Sequence, residues 1–390
     1  MFETSGVRDR DRTVRRAAVA VALTFGLQGA GYAVVVTALP SFQRRLALDD
    51  TTTALLLLAV CVAAAGGSVL ADLIAVRRSS RHAVITGFTG QAIALTGAAL
   101  APSLPLFVAA ILGYGVGLGL IDASSNMQGV LVQRRHPSPL LGRFYATYTT
   151  GAILGAFAMS GGMVTGGGAA VALLVAAGLQ VVIGLAVAAP RLDRARAAHA
   201  ADAPARERRA LPRRAIVVTG LVVLAAFTID AGVSTWSTPH LASLGAAAAL
   251  APMGYAAYQG GVLLARLATD PLQQRLGRRV LMIAALAAGA LGGVVVALGA
   301  GPGVAVAGFV LSGLAVGALV PIAFGLAGRI DPARSDEVVA RVNQFNYAGA
   351  VLGAVGVGLL LDVGGAAIAF LMPVVLLAAA LPAVRATRTR

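Results

Sequence analysis

The stretch RLATDPLQQRLGRR, Arg266–Arg279, decides how the chain is read. It lies between two long apolar runs, and a degraded copy stands 198 residues earlier (Asp72 against Asp270). Asp72, Arg77 and Arg81 fall on Asp270, Arg275 and Arg279, with Ser79 where Gly277 stands. The same offset carries Arg143, Gly151 and Gly155 onto Arg341, Gly349 and Gly353, and Tyr32 onto Asp230. At a slightly larger offset Pro40 matches Pro239, and Gly113 and Gly117 match Gly313 and Gly317. Any one match is weak in a chain so rich in Gly and Ala. Several at one offset point to an internal repeat.

Around these copies the chain is strongly apolar. Of its 390 residues 58% are hydrophobic and 12% charged, with mean hydropathy +0.84. A soluble domain is about a quarter charged, so a water-facing surface of this size lacks its charges. A membrane helix needs about 20 mostly apolar residues. Twelve such runs occur, near 17–40, 51–74, 83–102, 104–131, 142–163, 168–190, 215–238, 248–269, 280–300, 302–328, 338–361 and 364–384. They are numbered here as spans 1 to 12. The expected fold is all-α and integral to the membrane, with twelve transmembrane helices in two pseudo-symmetric six-helix bundles. The expected segments are a basic arm at 1–16, an N-terminal bundle at 17–190, an Arg-rich linker at 191–214, a C-terminal bundle at 215–384 and a tail at 385–390.

The net charge of +15 is carried by short arginine runs between spans, not by a continuous surface. That excludes a nucleic-acid interface and fits loops at an anionic membrane face. With the N-terminus cytoplasmic, the inner segments hold every arginine except Arg44 and Arg45, as the positive-inside rule requires. Both termini are expected in the cytoplasm, and the protein in the inner (plasma) membrane as a monomer. Cys61 is the only cysteine, so neither an intramolecular disulfide nor a cysteine-built metal site can form. No phosphate loop is present. The four histidines, His82, His136, His199 and His240, lie in expected inner loops or near the outer face. No catalytic group, metal or cofactor is expected, and the chain reads as a non-enzyme.

Two parallel six-helix halves describe the architecture of the major facilitator transporters. Arg266–Arg279 resembles that family's R-x-x-x-D-x-x-x-x-R-x-G-R-R signature, and the resemblance covers all twelve spans. It implies a cytoplasmic gate network of Asp72, Arg77, Arg266, Asp270, Arg275 and Arg279. Span 4 ends GYGVGLGLIDASSNMQ, Gly113–Gln128, with Asp122 four residues before Asn126. This is similar to the fucose-permease-like branch, whose span-4 acid is implicated in proton coupling. The segment Asp230–Ser237 in span 7 also resembles members of that branch. Span 1 departs from it, offering Gln28 and Tyr32 where the branch carries an acid.

An ionisable residue inside a span costs at least about 2.5–3.5 kcal/mol at the centre and is a functional candidate by default. Asp122 and Asp230 are the only acids well inside spans. They are expected about 7 Å to the inner side and about 6 Å to the outer side of their span midpoints, respectively. Both are candidate proton carriers. Asn126, one turn beyond Asp122, can bond its carboxylate or a polar substrate. Gln28, Tyr32, Trp236, Gln259, Asn343, Asn346 and Tyr347, on spans 1, 7, 8 and 11, complete the candidate substrate contacts. The leading expectation is proton-coupled secondary transport of a small organic solute by alternating access. The alternatives are proton-antiport efflux of a hydrophobic metabolite or antibiotic and, from another class, a non-transporting membrane sensor or lipid-handling protein.

Overall fold

A computed structural model describes residues 3–133, 135, 140–184, 211–331 and 335–386. The described chain is built of helices, as a bilayer demands of a backbone with no water to satisfy its polar groups. Span 1 runs Glu3–Thr37, so the basic arm continues the helix rather than preceding it. A short helix, Leu39–Leu46, follows, with Pro40 in its first turn. Spans 2 to 5 are Asp50–Arg77, Ser80–Leu100, Leu104–Gln133 and Leu141–Val164. Span 6 is Gly168–Leu179 and winds wider over Gln180–Gly184; the rest of the expected span and most of the linker lie outside the described residues. Spans 7 to 10 are Arg213–Ser243, Met253–Leu276, Arg278–Leu298 and Pro302–Ile330. Span 11 begins at Ser335, passes a π turn at Leu352–Gly356, and ends where Gly365, at φ 67°, breaks the helix and starts span 12.

Eight helical stretches are long and apolar enough to cross a membrane, and one of them, Arg341–Ala380, holds both spans 11 and 12. Gly168–Gly184 is a shorter apolar helix, and spans 5 and 8 are not among the eight.

Span 8 departs most from the expectation. It starts at Met253, not 248, because 248–252 form turns capped by Pro252. It then runs through Pro271 to Leu276, with only Gly277 (φ 79°) before span 9. The arginine-rich signature is therefore helical for most of its length. Arg266 falls near the middle of span 8, not at the edge of a loop.

The chain divides into two compact units. One holds residues up to Val35 and those from Ala59 through span 6; the other holds Val36–Leu58 with spans 7 to 12. In the first, spans 1, 3, 4 and 5 share an apolar core around Phe25, Phe88, Ile121 and Phe144, with the Phe25 and Phe144 rings stacked at 5.8 Å. In the second, His240 packs 5.0 Å from the Phe370 ring and 6.3 Å from that of Phe309.

Glycines set the closest helix approaches, and they correct the repeat. A Cβ on Gly119 would meet the Ala64 carbonyl at 1.8 Å, where span 4 crosses span 2. One on Gly313 would meet the Tyr258 carbonyl at 2.1 Å, where span 10 crosses span 8. Gly115 and Gly119 thus do for span 4 what Gly313 and Gly317 do for span 10. The offset between those pairs is again 198 (Gly115 against Gly313), so the larger offset read through Gly113 and Gly117 is not the structural one. Small residues of this kind let membrane helices pack without a hydrophobic driving force between them.

Candidate functional site

In the first unit the polar residues gather around span 4. Gln28 Nε2 donates to Asp122 Oδ1 at 3.1 Å. Gln28 is buried, and its Oε1 has no hydrogen-bond partner among the described residues. Asp122 lies deep among the helices, yet its side chain is open to solvent. No charged group among the described residues acts on it. Asn126 does not reach the carboxylate. Its Nδ2 donates to the Asp122 backbone carbonyl at 2.9 Å, and its Oδ1 accepts from the Tyr145 hydroxyl at 2.8 Å. An amide one helical turn away is at the right distance for that backbone bond. Tyr32 is half-buried and lies near Tyr114, whose own hydroxyl is enclosed.

The second unit builds a different site. Tyr258 Oη donates to Asp230 Oδ1 at 2.5 Å. Gln259 Nε2 donates to Tyr255 Oη at 2.7 Å, and the two tyrosine rings stand 6.4 Å apart, both wholly buried. The charge of Arg266 acts on both Asp230 and Tyr258. Tyr255, Gln259 and Arg266 follow one another at i, i+4 and i+11, which places all three on one face of span 8. Asp230 and Arg266 both stand within about 3 Å, along the axis, of the midpoints of their helices.

Trp236 is wholly enclosed, and its indole N–H donates to the Ala354 carbonyl at 2.8 Å. Ala354 lies in the π turn of span 11, where the wider winding leaves a carbonyl without its usual helical donor. A Cβ on Gly358 would meet the Trp236 ring at 2.3 Å. Trp236 therefore braces span 11 in this conformation and faces packed helix. Asn346 Nδ2 donates to Asn343 Oδ1 at 3.3 Å, both half-buried, while Tyr347 is 62% exposed.

Of the expected gate residues, Asp72, Arg77, Asp270, Arg275 and Arg279 are exposed. Arg266 differs from them in being half-buried, and its charge acts on Asp230.

Sequence reading missed three features. Tyr255 and Tyr258 carried no signal beyond being aromatic, since their partners lie on another helix or inside the unit. A buried amide pair, Gln180 Nε2 to Gln91 Oε1 at 2.7 Å, ties span 6 to span 3 at the π winding. Within the second unit the Asp362 carboxylate accepts from both the backbone N–H, at 2.6 Å, and the hydroxyl of Thr51. Beside that contact Gln43 Nε2 donates to Asp50 at 2.7 Å.

Comparison with known proteins gives the arrangement its family. The profile described as Major Facilitator Superfamily matches residues 21–302. An uncharacterized MFS-type transporter of Yersinia pestis is 26% identical over 363 residues, covering 90% of this chain and 91% of its own. An uncharacterized transporter of Sinorhizobium fredii is 27% identical over 271 residues, covering 69% and 71%. Among solved structures, a mutant of the nucleoside transporter NupG superposes with a TM-score of 0.76 at 14% identity, covering 97% of this chain and all of that one. The transporter FucP, in its outward conformation, gives 0.66 at 15% identity, again over 97% of this chain and all of its own. The fold, the matched profile and the full-length relatives agree: the chain belongs to the Major Facilitator Superfamily, whose members are multi-pass membrane transporters and not enzymes.

Proposed function

We propose that this transporter couples a proton to the movement of a small organic solute by alternating access, with Asp122 and Asp230 as the coupling acids. The observation that carries the reading is Asp122. It is a carboxylate in the middle third of a span, exposed, and held by a neutral amide alone. Facing lipid there would cost at least about 2.5–3.5 kcal/mol, so its open side faces water. A carboxylate with water access and no counter-charge is suited to gaining and losing a proton as that access changes sides. Ligand and proton binding then shift the balance between inward- and outward-open states.

Gln28, Tyr32 and Asn126 are the proposed solute contacts from the first unit, and Gln259, Asn343, Asn346 and Tyr347 those from the second. Trp236 is assigned with them as a brace for the span-11 wall. The exposed charges Asp72, Arg77, Asp270, Arg275 and Arg279 form the proposed inner gate. The topology proposed with this reading puts both termini in the cytoplasm, in the inner (plasma) membrane, with a monomer as the working unit.

Proteoliposomes holding the full chain, with an imposed pH gradient of either sign and a panel of sugars, nucleosides and hydrophobic drugs, test this. Gradient-driven flux in the wild type, lost in Asp122→Asn with folding intact, is expected. Undiminished gradient-driven flux in that variant sinks the proton role of Asp122. Flux outward against a hydrophobic drug would favour the efflux form of the same mechanism, which the dominance of Ala, Val, Leu and Gly in the spans also suits.

A further inference from the structure

Asp122 is exposed in the middle third of span 4, and among the described residues it makes no ion pair. Its one side-chain hydrogen bond comes from Gln28 Nε2, which occupies Oδ1 and leaves Oδ2 open. Gln28 itself is 3% exposed, and its Oε1 has no partner among the described residues. The unpartnered atoms of this pair are therefore two oxygens, both acceptors. Tyr145 of span 5 closes the same side of spans 1 and 4. Its hydroxyl donates to Asn126 Oδ1 at 2.8 Å, and its ring stands edge-to-face with Phe25, centroids 5.5 Å apart. Asn126 is one turn from Asp122, and Phe25 one turn from Gln28, so Tyr145 lies about 5 Å along the axis from the Gln28–Asp122 bond. The Tyr145 side chain is 42% exposed. An open carboxylate, a buried amide with a spare acceptor and an exposed aromatic ring thus belong to one face of the first unit.

We infer that Asp122, with the Gln28 amide and the Tyr145 ring beside it, is a receptor for an organic monocation, a protonated amine with an apolar body. This rests on the transporter reading above and names its substrate class. The charge balance dictates the rest. A carboxylate inside a span is costly unless it is paired or neutralised. Here the partner is either one proton or one ammonium group, and the two compete for the same oxygens. One leaves as the other enters, and the site stays neutral. The coupled movement is exchange, with the cation moving toward the side that supplies the proton. The ammonium N–H groups are donors, as the open Oδ2 requires, and the ring offers its face to the charge and the apolar body. An anion would be repelled by the carboxylate. A dication would leave an uncompensated charge, and a neutral solute would leave the carboxylate unanswered.

The test is thermal unfolding of the purified full-length protein in detergent between about pH 5 and 8. The probes are benzylamine, phenethylamine and cyclohexylmethylamine, charged throughout that range, each against the alcohol of the same skeleton. At least one amine is expected to raise the melting temperature while its alcohol does not. Its apparent affinity should weaken toward lower pH, up to about tenfold per unit for one displaced proton. Asp122→Asn should weaken it about tenfold or more and abolish that pH dependence. Tyr145→Leu should weaken it about two- to fivefold at every pH. Should Asp122→Asn fail to fold, carbodiimide modification of Asp122 in the wild type, mapped by mass spectrometry, takes its place. The amine is expected to protect Asp122, and its alcohol is not. Equal effects of amine and alcohol, an affinity that holds or tightens toward acid, wild-type affinity in Asp122→Asn, an unprotected Asp122, or no effect of any amine would each overturn the inference. Proton-competed amine binding without gradient-driven flux would instead refute the transport reading and leave the receptor standing. Gradient-driven flux of an uncharged solute alone would do the reverse.

Discussion

The two in-span acids sit in related bundles but in unlike company. Asp122 is exposed, with an amide beside it and no cation acting on it among the described residues. Asp230 accepts from the Tyr258 phenol at 2.5 Å, and the charge of Arg266 acts on it. The repeat makes the contrast sharper. At the common offset Asp230 falls on Tyr32 and Arg266 on Ser68, so neither charge has a counterpart in the first unit. Symmetry is kept in the packing, where Gly115 and Gly119 echo Gly313 and Gly317, and is broken where charge is placed. The glycines build two similar bundles. The polar groups set the two acids apart: one lies beside an amide, the other beside a phenol.

The largest effect expected from this contrast is at Asp122. Asp122→Asn should abolish gradient-driven flux with little change in melting temperature, because the neutral amide still bonds Gln28 and leaves no charge behind. Asp230→Asn should do the opposite. It removes the negative charge on which Arg266 acts and the carboxylate that accepts from Tyr258, a loss expected to exceed any from Asp122→Asn. Removing both, as Asp230→Asn with Arg266→Gln, should recover most of that loss. A thermal-unfolding double-mutant cycle measures the coupling. Equal destabilisation by Asp122→Asn and Asp230→Asn would erase the distinction between the two acids.

Much of the fold was legible because hydropathy, span length and loop charge all report on the bilayer and not on neighbours. The twelve spans, the two halves and the two in-span acids needed nothing else. Partners were less legible. Whether Asp230 meets Tyr258 depends on how spans 7 and 8 are rotated about their axes, and no local pattern encodes that. The end of span 8 was hard to read for a different reason. Pro271 disfavours helix at the residue before it and reads as a helix end, yet span 8 runs on to Leu276 and carries Arg266 into its middle. Trp236 looked like a cavity or interfacial aromatic. The π turn that gives its N–H a carbonyl at Ala354 leaves no mark in the sequence.

Tyr258→Phe probes the second site more gently. A hydrogen bond to a charged group contributes about 1.5–3 kcal/mol in soluble proteins, but bonds between membrane helices average about 0.6 kcal/mol because the unfolded chain finds partners too. The charge of Arg266 still acts on the carboxylate in this variant, so a loss of about 1–2 kcal/mol is expected, short of that from Asp230→Asn. A loss as large as the Asp230→Asn loss would mean that the phenol, not the guanidinium, holds Asp230. Trp236→Phe should fall in the same range, since it orphans the Ala354 carbonyl inside span 11 while keeping most of the ring's packing.

The smallest effect is at an acid outside the bilayer, and it sets the baseline for the other two. Asp49 precedes span 2 and accepts from the Thr52 backbone N–H at 2.7 Å, the geometry of a helix N-cap. The Thr52 side chain, and then its N–H, hold the Asp49 carboxyl below its usual range. A lowered folded value means that the charged form is favoured by folding. The cap's contribution is therefore present above the unfolded carboxylate range and is lost as pH falls through the lowered value. Asp49→Ala should melt slightly below wild type at pH 7, and the gap should close toward acid. Asp49→Asn keeps the cap without the charge, so the gap between it and Asp49→Ala should not vary with pH. Its exposed position makes this a matter of one helix end, with flux unaffected. Were Asp49→Asn to slow gradient-driven flux as Asp122→Asn does, loss of an acid anywhere near the spans would suffice, and the particular company of Asp122 would explain nothing.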